Sequence, residues 1–141
     1  MTLQTEQGSK HTFNETERLY KSHSNLEIRM ACVEDGIDNT GFRKISAYIK
    51  SIHENTKIAY IPTSNYRNII SQLIEHAPGS LTDRDIYKIA KFMAEGDIAA
   101  FSAMSQSCFN VYKIIAEVRK INPKSYIIWG GIHAIIEPED A

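Results

Sequence analysis

The sequence has few of the features that mark secreted, membrane-spanning or nucleic-acid-binding proteins. Only two of its 141 residues are cysteine, too few for a disulfide framework. Its 16 basic and 17 acidic side chains nearly cancel, so charge gives no reason to expect nucleic acid or an anionic membrane as partner. No apolar run approaches a membrane span, and the first ten residues are too polar for a signal peptide. We therefore expect a cytoplasmic globular protein.

Several common ligand-binding signatures are also missing. The five histidines form no HxxxH pair and no cluster with cysteine, so no zinc site is predicted. The GxGxxG fingerprint and the phosphate-binding P-loop are both absent, which argues against a dinucleotide or nucleoside triphosphate. In phosphoryl-accepting receiver domains, paired acids follow the first strand and an aspartate ends the third. Glu34-Asp35 matches the paired acids, but Phe101-Ser102 occupies the position of the aspartate. Because that aspartate accepts the phosphoryl group, a receiver domain is not predicted.

The chain divides into a short polar segment and one domain. Residues 1–25 contain few aliphatic side chains, and we interpret them as a flexible arm. Residues 26–141 alternate apolar strands with amphipathic helices, which is typical of a parallel sheet with helices on both faces. Strands are predicted at 26–33, 57–61, 97–103 and 126–129, and helices at 41–53, around 66–73, at 82–95 and from 108 to 121.

This pattern predicts an α/β fold with a doubly wound, mostly parallel sheet of the flavodoxin-like or Rossmann-like kind. The third strand is apolar throughout its middle, so we expect it to be buried on both faces. Trp129, at the end of the fourth strand, is expected in the core. Only ten residues follow Gly131, so we expect the domain to be truncated after its fourth strand, as the front portion of a longer protein.

Ligands of such sheets bind beyond the carboxyl ends of the strands, where the strand order reverses. The loops at that end are expected at 34–40, 62–65, 102–107 and 130–134. The serines of the third loop lead into a helix start, whose free amides attract polar or negative groups. Gly130 and Gly131 would let a flat ligand approach the backbone. Ordinary helix caps and turns explain the same residues equally well. Glu34, Asp35 and Asn39 are expected either to line the first of these loops or to form a solvated turn.

Three segments in the second half of the chain together resemble one known family. They are residues 97–105, ending in Phe101-Ser-Ala-Met-Ser105, residues 121–133, ending in Trp129-Gly-Gly-Ile-His133, and Glu137-Pro-Glu139. The combination is similar to the N-terminal cobalamin-binding domain that precedes the catalytic barrel of cobalamin-dependent radical SAM proteins. In that family a Ser-rich turn ends the third strand, and Gly-Gly-x-His follows the fourth. The resemblance covers residues 26–141.

The resemblance implies that this chain binds cobalamin at the carboxyl ends of its strands. The residues implied for the cofactor are Ser102, Met104, Ser105, Gly130, Gly131 and His133. Because the corrin is large, shape and main-chain donors are expected to matter more than charge. Met104 would lie against the corrin or fill a gap beneath its own loop.

Two motifs of related cobalamin proteins are absent from this sequence, and their absence limits how the chain could hold cobalamin and what chemistry it could perform. The Asp-x-His-x-x-Gly motif, whose histidine coordinates cobalt in mutases and methionine synthase, is absent. His133 is the only histidine at the carboxyl end of the predicted sheet, where it would either coordinate cobalt or orient a loop through hydrogen bonds. The CxxxCxxC motif of radical SAM chemistry is also absent, so Cys32 and Cys108 are expected as small core residues.

The missing cysteine motif implies that this chain alone is not catalytic. An iron–sulfur cluster and S-adenosylmethionine would belong to a radical SAM catalytic domain that follows it. This chain would hold cobalamin for methyl transfer or related radical chemistry there.

Two other functions also fit the sequence. The first is a non-catalytic flavodoxin-like interaction or regulatory module without a cofactor. An uncovered fourth strand would favour that function, since an open edge invites self-association or pairing with another chain. The second is a carrier of flavin mononucleotide, although flavodoxins usually place their Ser-rich loop after the first strand.

Overall fold

A computed structural model describes residues 25–34, 39–63 and 81–139. The elements in chain order are β1 (Ile28–Val33), α1 (Thr40–Ile52), β2 (Thr56–Ile61), α2 (Asp83–Ala94), β3 (Ile98–Ser102), α3 (Cys108–Ile121), β4 (Tyr126–Gly130) and α4 (Ile132–Ile136). One turn of 3-10 helix, Ser105–Ser107, leads into α3. The polar arm, except for residue 25, and the helix predicted around 66–73 lie outside the described residues. None of the described helices is both long and apolar enough to cross a membrane.

The four strands form one sheet with the order β2-β1-β3-β4, and every neighbouring pair is parallel. This confirms the predicted α/β, doubly wound class. Because β1 pairs with β2 on one side and with β3 on the other, the strand order reverses at β1. The register places Cys32, Ser102 and Gly130 in one row near the carboxyl ends of three adjacent strands.

The larger core lies on the face of the sheet that α2 and α3 cover. Alternate residues of the central strands, such as Val33 and Phe101, pack there against Met93 and Ile114. Trp129 packs against the edge of this core, as predicted. The start of α2 follows from its cap, because the Thr82 hydroxyl accepts a hydrogen bond from the amide of Asp85 at 3.2 Å.

The opposite face is covered only in part. Helix α1 packs over β1 through Phe42, which forms a small core with Met30 and Cys32. No helix in the described ranges covers β3 and β4 on this face, and Tyr126 and Ile128 of β4 are 75% and 55% exposed. In β3 itself, Ala99 and Phe101 are buried, whereas the residues on the other face are only partly buried, so the predicted burial on both faces is complete for one face alone in the described structure.

Candidate functional site

A cleft of about 900 Å³ lies over the carboxyl ends of β1, β3 and β4, on the partly covered face of the sheet. Helix α1 forms one wall and the short helix α4 contributes to the other. The lining is mainly apolar, with a few polar groups and glycines: Met30, Glu34, Asn39, Thr40, Gly41, Phe42, Ile45, Ala100, Phe101, Ser102, Ala103, Met104, Ile128, Gly130, Gly131, Ile132 and Ile135. Its size lies within the range of roughly 300–1,000 Å³ found for small-molecule pockets.

Four of the six predicted site residues line this cleft. They are Ser102, Met104, Gly130 and Gly131. Parallel pairing brings them together, since Ser102 and Gly130 are register partners on β3 and β4. The Met104 side chain is exposed at the rim of the cleft. Thus the two loops singled out in the sequence do meet at one place.

The other two predicted residues, Ser105 and His133, contact each other but do not line the cleft. Nδ1 of His133 lies 3.3 Å from the Ser105 hydroxyl, and the imidazole packs 5.5 Å from the ring of Trp129. The imidazole is only 5% exposed, and its Nε2 has no hydrogen-bond partner in the described part of the chain. His133 is therefore positioned to connect α4 to the loop after β3.

The two glycines at the end of β4 play different structural roles. Gly131 has φ of 103° and ψ of −179°, a backbone conformation open almost only to glycine. A Cβ atom there would lie 2.6 Å from the carbonyl oxygen of Ala103, so the neighbouring backbone already fills that space. A Cβ atom on Gly130 would approach nothing closer than 3.9 Å. Only Gly130 therefore leaves room for a ligand by lacking a side chain.

Sequence reasoning missed the apolar part of the cleft. Met30 and Ile128 project from the sheet, and Phe42 and Ile45 come from α1. The available signal was the alternation within β4, which places Tyr126 and Ile128 on one face. That signal can be interpreted only once the fold shows that α1 packs over β1 on this face and that no described helix covers β3 and β4 there.

A polar cluster lies where β1 ends beside the cleft. Oε1 of Glu34 accepts hydrogen bonds from the Cys32 thiol, at 3.1 Å, and from the Asn39 side-chain amide. The other end of the Asn39 side chain caps α1, since its Oδ1 accepts a hydrogen bond from the Phe42 amide at 2.9 Å. The helix cap thus fixes Asn39, which in turn holds the Glu34 carboxylate.

Burial, the hydrogen bond to Glu34 and the negative charge of Glu34, in decreasing order of effect, together raise the pKa of the Cys32 thiol to about 12. The thiol therefore stays protonated at neutral pH and serves as a hydrogen-bond donor. Cysteines react as thiolates. The Cys32 side chain is therefore a small polar part of the core and a poor nucleophile.

We expect iodoacetamide to alkylate Cys108 of the folded protein at least about tenfold faster than Cys32 at pH 8, because the Cys32 thiol is both buried and protonated. Peptide mass mapping after timed quenching measures the two rates. In denaturant the two thiols should react at similar rates. Equal rates in the folded protein would contradict the packing described for Cys32.

The described residues contain no group of three or more His, Cys, Asp or Glu side chains that is arranged to hold a metal ion. Comparison of the chain with protein-family models, with curated proteins and with solved structures finds no match. The cleft and the sequence resemblance are therefore the features of this chain that bear on its function.

Proposed function

We propose that this chain is a cobalamin-binding domain that holds the corrin at the carboxyl ends of β1, β3 and β4. The observation that carries the proposal is the meeting of Ser102, Met104, Gly130 and Gly131 at a cleft of about 900 Å³. The sequence resemblance by itself implies these four residues for cofactor binding, together with Ser105 and His133, which do not line the cleft. The second support is the part of the sheet face over β3 and β4 that no helix in the described ranges covers, which gives a ligand larger than the cleft room to extend.

The lining of the cleft suits the two chemical parts of cobalamin. The apolar floor, from Met30 and Ala100 to Ile128, offers a surface for a flat aromatic base such as the one in the nucleotide tail. The polar rim, with Ser102 and the main chain beside Gly130, offers partners for the amide groups around the corrin. The residues present thus fit the group.

Cobalamin supplies a cobalt centre that can carry a methyl group. No histidine is among the described residues that line the cleft, so none of these side chains would supply an imidazole to a bound corrin. We propose that the chain binds and orients the corrin, while a following radical SAM domain carries the iron–sulfur cluster and S-adenosylmethionine. Methyl transfer or related radical chemistry would then take place between the two domains.

The test is retention of colour. The purified chain is mixed with hydroxocobalamin or, in parallel, with flavin mononucleotide, and each sample is passed through a gel-filtration column. The proposal predicts that corrin absorbance elutes with the protein and that flavin absorbance does not. Retained flavin with no retained corrin would contradict it and favour a flavin carrier.

The substitution Gly130→Leu should weaken hydroxocobalamin binding at least about tenfold, because the new side chain enters the cleft from β4. The fold should survive, since the Cβ position is free and φ there is not positive. Absorbance titration gives the affinity and circular dichroism checks the fold. Ala116→Leu, on the exposed side of α3, is the control and should bind like the wild type. Unchanged binding by Gly130→Leu would place the ligand elsewhere.

The edge strand favours a second candidate function, a cofactor-free interaction module. Strand β4 pairs with only one strand among the described residues. It contains neither a charged residue nor a proline, the residues that usually prevent an edge strand from pairing with another chain. Such an edge suits pairing with another chain or with a second copy. Sedimentation velocity over a range of concentrations tests self-association. A stable dimer that retains no corrinoid would support this candidate over the first.

A further inference from the structure

Glu34 is the only charged side chain among the described residues that line the cleft. It is 8% exposed, so it is a buried carboxylate at the wall of an otherwise apolar and neutral cavity. Burying a carboxylate is unfavourable unless hydrogen bonds compensate it. The partners of its two oxygens therefore indicate what the cleft is built to accept.

The two oxygens of Glu34 differ. Oε1 accepts from both the Cys32 thiol and the Asn39 amide, so the protein already satisfies it. Within the described ranges, no hydrogen bond to Oε2 is formed, and Oε2 is not among the buried atoms that lack a partner, so solvent can reach it. The Asn39 cap of α1 keeps the carboxylate in place. Among the described residues, Glu34 therefore presents one fixed and accessible hydrogen-bond acceptor at the wall of the cleft.

A fixed carboxylate oxygen selects ligands by charge as well as by hydrogen bonding. A neutral amide N–H matches it, whereas a second carboxylate or a phosphate beside it would be repelled. Around the corrin of cobalamin, primary amides are the donor groups, and its single phosphate lies in the nucleotide tail.

We propose that Glu34 recognises a primary amide at the corrin periphery and that the site consequently discriminates against corrinoids carrying a carboxylate at that position. This inference rests on the proposed function and deepens it by naming the chemical group that the site reads. Recognition by Glu34 would also orient the ligand. Because the Glu34 carboxylate repels a phosphate, the phosphate of the nucleotide tail must lie away from the end of β1.

The experiment compares hydroxocobalamin with the separated monocarboxylic acids obtained by hydrolysing single peripheral amides. Absorbance titration of the wild-type chain gives each dissociation constant. We expect at least one isomer to bind about tenfold more weakly than hydroxocobalamin, the loss typical of a hydrogen bond to a charged group. In Glu34→Gln, this preference should fall below about threefold, because a side-chain amide can both donate and accept.

Glu117→Gln, which removes a carboxylate from α3 outside the cleft, is the control and should keep the wild-type preference. If wild-type protein binds hydroxocobalamin and every monocarboxylic acid equally well, the inference is overturned and the proposed function stands. If wild-type protein binds none of these corrinoids, both are overturned. The comparison of ligands on wild-type protein keeps the inference testable even if Glu34→Gln fails to fold.

Discussion

Replacing Gly131 with alanine is expected to lower the free energy of unfolding by about 3 kcal/mol. Two physical terms contribute. The backbone at Gly131, with φ of 103°, is strained for any residue that has a Cβ atom. The added atom would also lie 2.6 Å from the carbonyl oxygen and 2.9 Å from the amide nitrogen of Ala103, and neither backbone group can move without disturbing the end of β3.

Urea denaturation followed by circular dichroism measures this loss, and a melting-temperature drop of roughly 10 °C should accompany it. Gly130→Ala is the matched control one residue earlier. Its Cβ atom would make only an ordinary contact at 3.9 Å, so its stability should equal or slightly exceed that of the wild type. If the two variants are equally stable, the path of the chain between β4 and α4 is not as described.

The second large effect is expected at the opposite end of the sheet, where Arg29 is buried in β1. Its guanidinium lies 2.6 Å from the Glu27 carboxylate, 2.9 Å from that of Glu95, and 4.8 Å from the centre of the Phe92 ring. Removing both carboxylates would leave a buried cation without a counter-charge, and the double variant Glu27→Gln/Glu95→Gln should lose about 3 kcal/mol. Arg29→Met should lose less stability, because it removes the buried charge, and the apolar methionine side chain needs no counter-charge.

The stabilities of these variants are compared by urea denaturation, and Glu117→Gln serves as the control. Glu117 and Lys120 form an ion pair on the surface of α3, so breaking that pair should cost less than about 1 kcal/mol. Combining Arg29→Met with the double glutamine variant should recover part of the lost stability. If the double glutamine variant is no less stable than Arg29→Met, the buried-charge explanation is contradicted.

The four strands and the helices α1, α2 and α3 were predictable because their signals are local, whereas the structure forms α4 (Ile132–Ile136) where a loop was expected at 130–134. The boundaries of β1, β2, β3 and β4 differ from the predicted ones by two residues or fewer. Each signal acts within a few residues of the chain: apolar alternation specifies the strands, the Thr82 cap begins α2, and Gly130 and Gly131 end β4. Their effect therefore does not depend on the rest of the fold.

The parts of the site that escaped prediction depend on long-range geometry. The sequence around His133 shows that the imidazole lies near the carboxyl end of β4, but not that the turn at Gly131 carries it away from the cleft lining. Likewise, Glu34 and Asn39 resemble any polar turn until α1 is placed, because their contact depends on the cap of that helix. The orientation of a side chain after a tight turn is set by backbone angles that composition does not encode.

We propose that the ligand binds in the cleft over β1, β3 and β4. Amide proton–nitrogen NMR correlation spectra recorded during a titration with hydroxocobalamin would locate the binding site. We expect the largest shifts on residues 39–45, 100–104 and 128–132, while Asp97 and Lys124 at the other end of the sheet stay unchanged. Shifts confined to that other end, or no shifts at saturating corrinoid, would contradict this proposal.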